Sequence, residues 1–316
     1  MAKTDPELAF VFPGQGSQSV GMLADLATAH PLILETFAEA STALGIDLWR
    51  MTQSGPEATL NHTVNTQPAL LAAEVAIWRA WHEAGGHTPG LVAGHSLGEY
   101  SALVCAGCLS FSDAIRLVAA RGRCMQEAVP AGTGGMAAIL GLDDQAVVAA
   151  CAEAAGSEIV AAVNFNAPGQ VVIAGHKAAV DRAVEAAKAR GAKRAMPLPV
   201  SVPSHCQLML SAAESFRRHL DAVPLVGARI PVIQNVDAVA RQDAAGLRQS
   251  LILQLYSPVQ WVECVKALHQ RGVRTIVECG PGKVLSGLIK RIESSLQLDA
   301  IGDADSFAVA LAKGRT

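Results

Sequence analysis

Gly94-His95-Ser96-Leu97-Gly98 places a serine in a G-x-S-x-G pattern. The apolar run Leu91-Val92-Ala93 precedes it, and a helical stretch from Glu99 to Cys108 follows. A strand feeding a helix through such a pentapeptide predicts a sharp elbow that exposes the serine hydroxyl at the carboxyl edge of a sheet. Gly94 would end the strand, and Gly98 would let the helix pass close under it. The helix N-terminus favours negative charge developing nearby. The chemistry this predicts is nucleophilic attack by Ser96, which needs a base within reach.

Nine histidines could supply that base. His82, His219 and His269 fall in helical stretches, and His30, His62 and His87 sit at polar boundaries. His95 adjoins the nucleophile, so its side chain is expected to point away from that of Ser96. His176, after Val171-Val-Ile-Ala-Gly175, and His205, in Leu198-Pro-Val-Ser-Val-Pro-Ser-His205, remain at the ends of predicted strands. Catalytic groups gather at strand ends in α/β proteins, and pattern alone leaves the two open.

Arg121 lies within an apolar helical stripe of Ala114, Leu117, Val118 and Met125, whereas Arg116 and Arg123 share another, solvated face. An inward arginine must find a partner, because a buried unpaired charge is costly. A salt bridge to Asp or Glu would serve. So would a bidentate clamp on a substrate carboxylate. Gln15 follows the first strand in a Gly-flanked loop. Its backbone N–H could complete an oxyanion hole with that of Leu97, the residue after the nucleophile. The same loop lacks the third glycine and the acidic partner of a dinucleotide fingerprint, which argues against nucleotide binding.

These groups need a scaffold. Ala9–Phe12 reads as the first strand, followed by helical patterns at Pro31–Leu44 and Pro68–Ala84, then the elbow strand and helix. A further helix is expected from an N-cap at Ser112 to about Ala128. Pro130–Gly135 is the clearest linker. Strand Met136–Leu140, helix Asp143–Ala154, strand Ile159–Val163, turn Asn164–Gly169, strand Val171–Ala174, helix Lys177–Arg190 and strand Arg194–Val200 then follow. That β-α-β-β-α-β order is the ferredoxin-like pattern. The remainder alternates again: helix Leu208–Ala222, strand Ile230–Gln234, helices Gly246–Leu255 and Pro258–Gln270, strand Thr275–Glu278 and helix Val284–Ile292. The predicted fold is α/β, with a mostly parallel sheet covered on both faces and a smaller inserted unit. The predicted division is a large domain over 1–129 and 202–316 and a subdomain over 130–201.

Composition narrows the partners. The net charge is -3, with no basic run or aromatic–basic interleaving, so nucleic-acid binding is not expected. No stretch reaches the roughly 18 apolar residues of a membrane span. The polar start, Met1-Ala-Lys-Thr-Asp-Pro-Glu, lacks a signal peptide's apolar core. With 7 cysteines, an odd number, reduced thiols and a cytoplasmic setting are expected. Cys105 and Cys108 form a C-x-x-C within the predicted elbow helix, and packing against the sheet suits them better than metal binding.

Taken in order, six segments resemble the malonyl-CoA:acyl carrier protein transacylase family: Phe12–Gln18, Gly94–Tyr100, Arg121 with Met125–Pro130, Asn166–Gln170, Val202–His205 and Gln254–Trp261. They span nearly the whole chain. Acyltransferase domains of polyketide synthases share much of the set. The resemblance implies a hydrolase-like core with a ferredoxin-like subdomain, in a cytoplasmic enzyme of fatty acid biosynthesis. It implies Ser96 as nucleophile and His205 as base, with the Gln254 backbone carbonyl orienting the ring in place of a triad carboxylate. It further implies Arg121 on the malonyl carboxylate, Gln15 and Leu97 as oxyanion donors, and Asn166 on the cleft wall. Malonyl-CoA is then a substrate, acyl carrier protein the partner, no cofactor is needed, and a monomer is expected.

Overall fold

The computed structural model describes residues 3–130, 132–200 and 202–313. The predicted domain limits at 1, 201 and 316, and Ala131 in the predicted linker, lie outside the described residues.

Strand β1 (Thr4–Phe12) is followed by helices α1 (Ala24–Ala29), α2 (Leu32–Leu44), α3 (Leu48–Ser54), α4 (Glu57–Leu60) and α5 (Thr63–Glu83). Strand β2 (Thr88–Gly94) leads into α6 (Gly98–Cys105) and α7 (Phe111–Ala128). A second unit contains β3 (Gly134–Leu140), α8 (Asp144–Ala155), β4 (Val160–Ala167), β5 (Gln170–His176), α9 (Lys177–Ala189) and β6 (Arg194–Pro197). The chain then returns through α10 (Leu210–Asp221), β7 (Val232–Ile233), β8 (Ala240–Arg241), α11 (Ala244–Gln254) and α12 (Trp261–Gln270). It closes with β9 (Thr275–Glu278), α13 (Val284–Ile292), β10 (Gln297–Ala300) and α14 (Ala304–Lys313).

The larger sheet has the order β10-β9-β1-β2-β7-β8. Every pair in it is parallel except β7 with β8. Alternation along β1 explains its composition. Phe10 and Phe12 enter one core, where Phe10 packs edge-on against Trp78 and Trp81 of α5, while Ala9 and Val11 enter a second core with α12 and α13. A strand covered on both faces must be apolar on both, which is why Ala9–Phe12 reads as an unbroken apolar run.

The smaller sheet is antiparallel throughout, in the order β4-β5-β3-β6. One face carries Ala137, Ile139, Val171 and Ile173 against α8 and α9. The other presents Met136, Val172 and Ala174, with Leu198 and Val200 packed beside them. Strand β4 is tied to the larger unit through Val259, which accepts from Phe165 N–H at 3.0 Å and donates to Val163 O at 2.8 Å.

Several boundaries differ from the sequence expectation. Helix α7 is capped by Ser110, not Ser112: the Ser110 hydroxyl accepts the Asp113 N–H at 3.1 Å, while Ser112 turns to Glu39. Asp113 at the third helical position bonds back to Ser110, a capping pair three residues apart that the Ser112 assignment overlooks. Helix α5 begins at Thr63, five residues before the expected start, so Pro68 lies inside it. Strand β4 continues to Ala167 through residues expected to turn, and β6 stops at Pro197 because the prolines at 197 and 199 cannot donate to a ladder. Cys108 lies beyond α6, which ends at Cys105. Helices α1, α3 and α4 are too short to show a helical period, and α14 buries only Phe307 and Ala310.

Candidate active site

The elbow forms where β2 meets α6. Ser96 has φ of 52°, in the left-handed region that L-residues enter only when their surroundings hold them there. The backbone is crowded around it. A methyl group at Gly94 would lie 1.9 Å from the Gly98 carbonyl carbon, and one at Gly98 would lie 2.0 Å from Phe12 O. Both positions must therefore be bare for α6 to start directly beneath the strand ends.

His205 reaches this elbow from the loop before α10, itself at φ of 67°. Its Nε2 lies 2.8 Å from Ser96 Oγ, and its Nδ1 lies 2.7 Å from the Gln254 carbonyl oxygen. A carbonyl only accepts, so Nδ1 carries the proton and Nε2 offers its lone pair to the serine hydroxyl. Burial pulls the His205 pKa down to about 3, the Arg121 charge adds to the effect, and the Gln254 carbonyl opposes it. The ring is therefore neutral, and able to accept a proton, across the physiological range. His176, the other candidate, instead accepts the Ile159 N–H at 2.9 Å, within the smaller unit.

Arg121 is 2% exposed and faces the elbow from α7. Its hydrogen-bond partners among the described residues are uncharged: Gln67 Oε1 at 2.8 Å, Gln254 Oε1 at 3.1 Å and Ser96 Oγ at 3.4 Å. The guanidinium carbon stands 5.4 Å from the centroid of the Tyr100 ring. Burial lowers its pKa, against the opposing influence of Tyr100 and Glu99. The salt bridge considered for it is absent among the described residues, so a buried cation sits beside the nucleophile without a bonded carboxylate.

Ser96, Arg121 and His205 line a cavity of about 130 Å³, together with Gln15, Leu97 and Met125. It adjoins a wider cleft of about 770 Å³, between the starts of α5 and α9 and bordered by Asn61, His62, Gln126, Lys177 and Leu198. Gln15 borders both. Asn166 is placed differently from the expectation: its Oδ1 meets His95 Nε2 at 2.8 Å, and Asn164 lines the inner cavity. His95 lines that cavity too, with its ring against Trp261 at 5.5 Å between centroids.

Sequence reasoning missed Gln67, Asn235 and Glu99. Gln67 holds Arg121 from α5, and its helical position carried no signal beyond being polar on an apolar face. Asn235 bonds the elbow backbone and in turn holds Glu99. Glu99 is fully buried, and burial pushes its carboxyl pKa up to about 7 against the Asn235 N–H and the nearby Arg121.

Residues 9–305 match the acyl transferase domain family. The malonyl CoA-acyl carrier protein transacylase of Salmonella typhimurium is 58% identical over 96% of this chain and 99% of its own. Among solved structures, the malonyl-CoA:acyl carrier protein transacylase of Xanthomonas oryzae superposes with a TM-score of 0.97 at 55% identity, covering 98% of this chain and 99% of that one. A second, a malonyl-transacylase solved in complex with its type II PKS acyl-carrier protein, gives a TM-score of 0.96 at 57% identity over 97% of this chain and 99% of that one. The chain therefore belongs to the acyl transferase domain family, alongside the malonyl CoA-acyl carrier protein transacylases, and is an acyltransferase.

Proposed function

We propose that the chain moves a malonyl group from malonyl-CoA to the phosphopantetheine thiol of an acyl carrier protein, in two half-reactions through a malonyl ester on Ser96. In the first, His205 Nε2 takes the hydroxyl proton as Ser96 Oγ attacks the thioester carbonyl. The backbone N–H groups of Gln15 and Leu97 receive the oxyanion. The C–S bond then breaks, and the coenzyme A sulfur leaves with the proton held by His205. The second half runs in reverse: His205 takes the carrier thiol's proton, the sulfur attacks the ester, and the proton returns to Ser96.

The observation that carries this reading is a serine–histidine pair at 2.8 Å next to a buried Arg121 whose bonded partners are neutral. A malonyl carboxylate would complete that arginine, whereas a simple ester would leave it uncompensated. The names of the relatives support the same donor and acceptor. The wider cleft gives a phosphopantetheine arm a route to the inner cavity. Seven free cysteines support a cytoplasmic setting. The strand order β4-β5-β3-β6 supports reading the smaller unit as ferredoxin-like, and the parallel sheet with its elbow supports a hydrolase-like core.

Intact mass after brief incubation with malonyl-CoA tests the reading, with Ser96→Ala alongside. A malonyl-sized adduct on the wild type alone, discharged by carrier protein, is expected. Rapid release of coenzyme A with no lasting adduct would make the chain a hydrolase instead.

A further inference from the structure

Asn235 follows β7, is fully buried, and belongs to neither the serine–histidine pair nor the arginine site. Its side chain enters the elbow from the side. Oδ1 accepts the Ser96 N–H at 2.7 Å, and Nδ2 donates to the Gly94 carbonyl at 2.6 Å. Those two groups flank His95. A residue opposite His95 in a parallel ladder would donate to the one and accept from the other with its backbone. The β2–β7 ladder runs Val92↔Val232 and Ala93↔Ile233. Past it, the Asn235 amide supplies the same pair of bonds with its side chain.

The rest of the residue is tethered too. Its N–H donates to Glu99 Oε2 at 2.8 Å, and its carbonyl accepts the Gln260 N–H at 2.8 Å. Gln254 Nε2 approaches Oδ1 at 3.4 Å while donating to Ser96 O at 2.9 Å. Only a group offering one donor and one acceptor in a plane satisfies both elbow atoms. An apolar side chain would leave a buried N–H and a buried C=O unpaired. An ionised carboxylate would set a negative oxygen against the Gly94 carbonyl.

We propose that Asn235 is a positioning residue that clamps the elbow in its left-handed conformation, so that Ser96 Oγ stays aligned with His205 Nε2. The claim rests on the acyl-serine reading above. Asn235 is not itself among the residues that line the inner cavity and has no bond to Arg121, so its loss should slow acylation without weakening capture of the donor at Arg121.

The test compares wild type, Asn235→Ala and Asn235→Asp, with Ser96→Ala as the blank. Ser96 acylation by malonyl-CoA is followed by rapid-quench intact mass, and melting temperature is recorded for each variant. Asn235→Ala is expected to lose about 10- to 100-fold in kcat with KM within about threefold, the size of effect that a small misplacement of a reacting atom produces. Asn235→Asp keeps the shape. Its rate relative to wild type should climb as pH falls from about 9 to about 6, as the new carboxyl gains the proton it needs to donate to Gly94. Glu99 of α6 bonds Asn235 directly, and Arg121 of α7, Asp237 and Arg241 of the β7–β8 hairpin and Cys264 of α12 interact with Glu99, while Arg121 and His95 act on His205 beside the elbow. The wild-type profile taken alongside corrects for their titration. Acylation of Asn235→Ala within about threefold of wild type would overturn the proposal. So would a depressed rate of Asn235→Asp that does not change with pH, which decides the matter if Asn235→Ala fails to fold. A wild type that takes no label on Ser96 removes the acyl-serine reading and this proposal with it.

Discussion

Among single residues, Arg121 is the charged group that stands beside the nucleophile. It is buried, bonded to two glutamine oxygens and the Ser96 hydroxyl, and set over an aromatic face. A guanidinium so placed stabilises an anionic donor and offers nothing specific to a neutral one. Arg121→Ala should therefore cut kcat/KM for malonyl-CoA by about 100-fold or more, the usual cost of truncating one side of a buried hydrogen-bonded charge pair. Transfer from acetyl-CoA should change by less than about threefold, because no charge pair is lost there. Parallel assays with both donors give the ratio, and equal losses would remove Arg121 from the selectivity role. Arg121 also lowers the His205 pKa, but burial is the larger cause, so the ring stays neutral without it for either donor.

At the scale of elements, the decisive contact is the start of α6 beneath the ends of β1 and β2. Ser96 is exposed to the cavity because that helix begins within van der Waals range of Phe12 O, which leaves no room for a side chain at Gly98. Gly98→Ala must push α6 away from β1 or shift the strand. A loss of about 3 kcal/mol in unfolding free energy is expected, together with loss of acylation, since backbone has nowhere to yield. Gly287, on the exposed side of α13, meets nothing within 4 Å of an added methyl. Gly287→Ala should stabilise by about 0.5–1 kcal/mol through helix propensity alone. Urea denaturation of the two variants separates close approach from propensity.

For the whole molecule, three carboxylates buried in the larger unit contribute to the response to pH. Glu74, Glu99 and Glu278 all have raised pKa values, with burial the largest cause in each. A carboxyl whose folded pKa exceeds its unfolded one holds a proton more tightly when folded. Its contribution is fully present below the unfolded pKa and is lost as pH rises through the folded one. For Glu99 that window runs from the ordinary 4.5 to about 7. His205, whose folded pKa of about 3 lies below its ordinary 6.5, acts in the opposite sense over much of that range, so a variant difference is needed to isolate Glu99. The stability of Glu99→Gln relative to wild type should rise over the same window and then level off. A difference that does not vary with pH would mean that Glu99 is ionised in the fold.

Much of this was legible in the chain itself. The elbow is five contiguous residues between an apolar run and a helix, so Ser96 could be read locally, as could the inward face of Arg121 and the strand–helix alternation. These are patterns among near neighbours in sequence, and periodicity records which face will be buried. Tertiary structure alone decided what meets what. His205 and His176 both end predicted strands, but only packing brings one of them to Ser96, 109 positions away, and gives the other to Ile159. Asn166 sits in the segment expected to line the cleft, yet its oxygen goes to His95, 71 positions away. Asn235 gave no local signal, since a lone asparagine after a short strand reads as a turn. Its two bonds to the elbow span 139 and 141 positions. Local pattern fixes which side chains turn inward; how the strands, helices and loops pack decides which of them come within a hydrogen bond of one another.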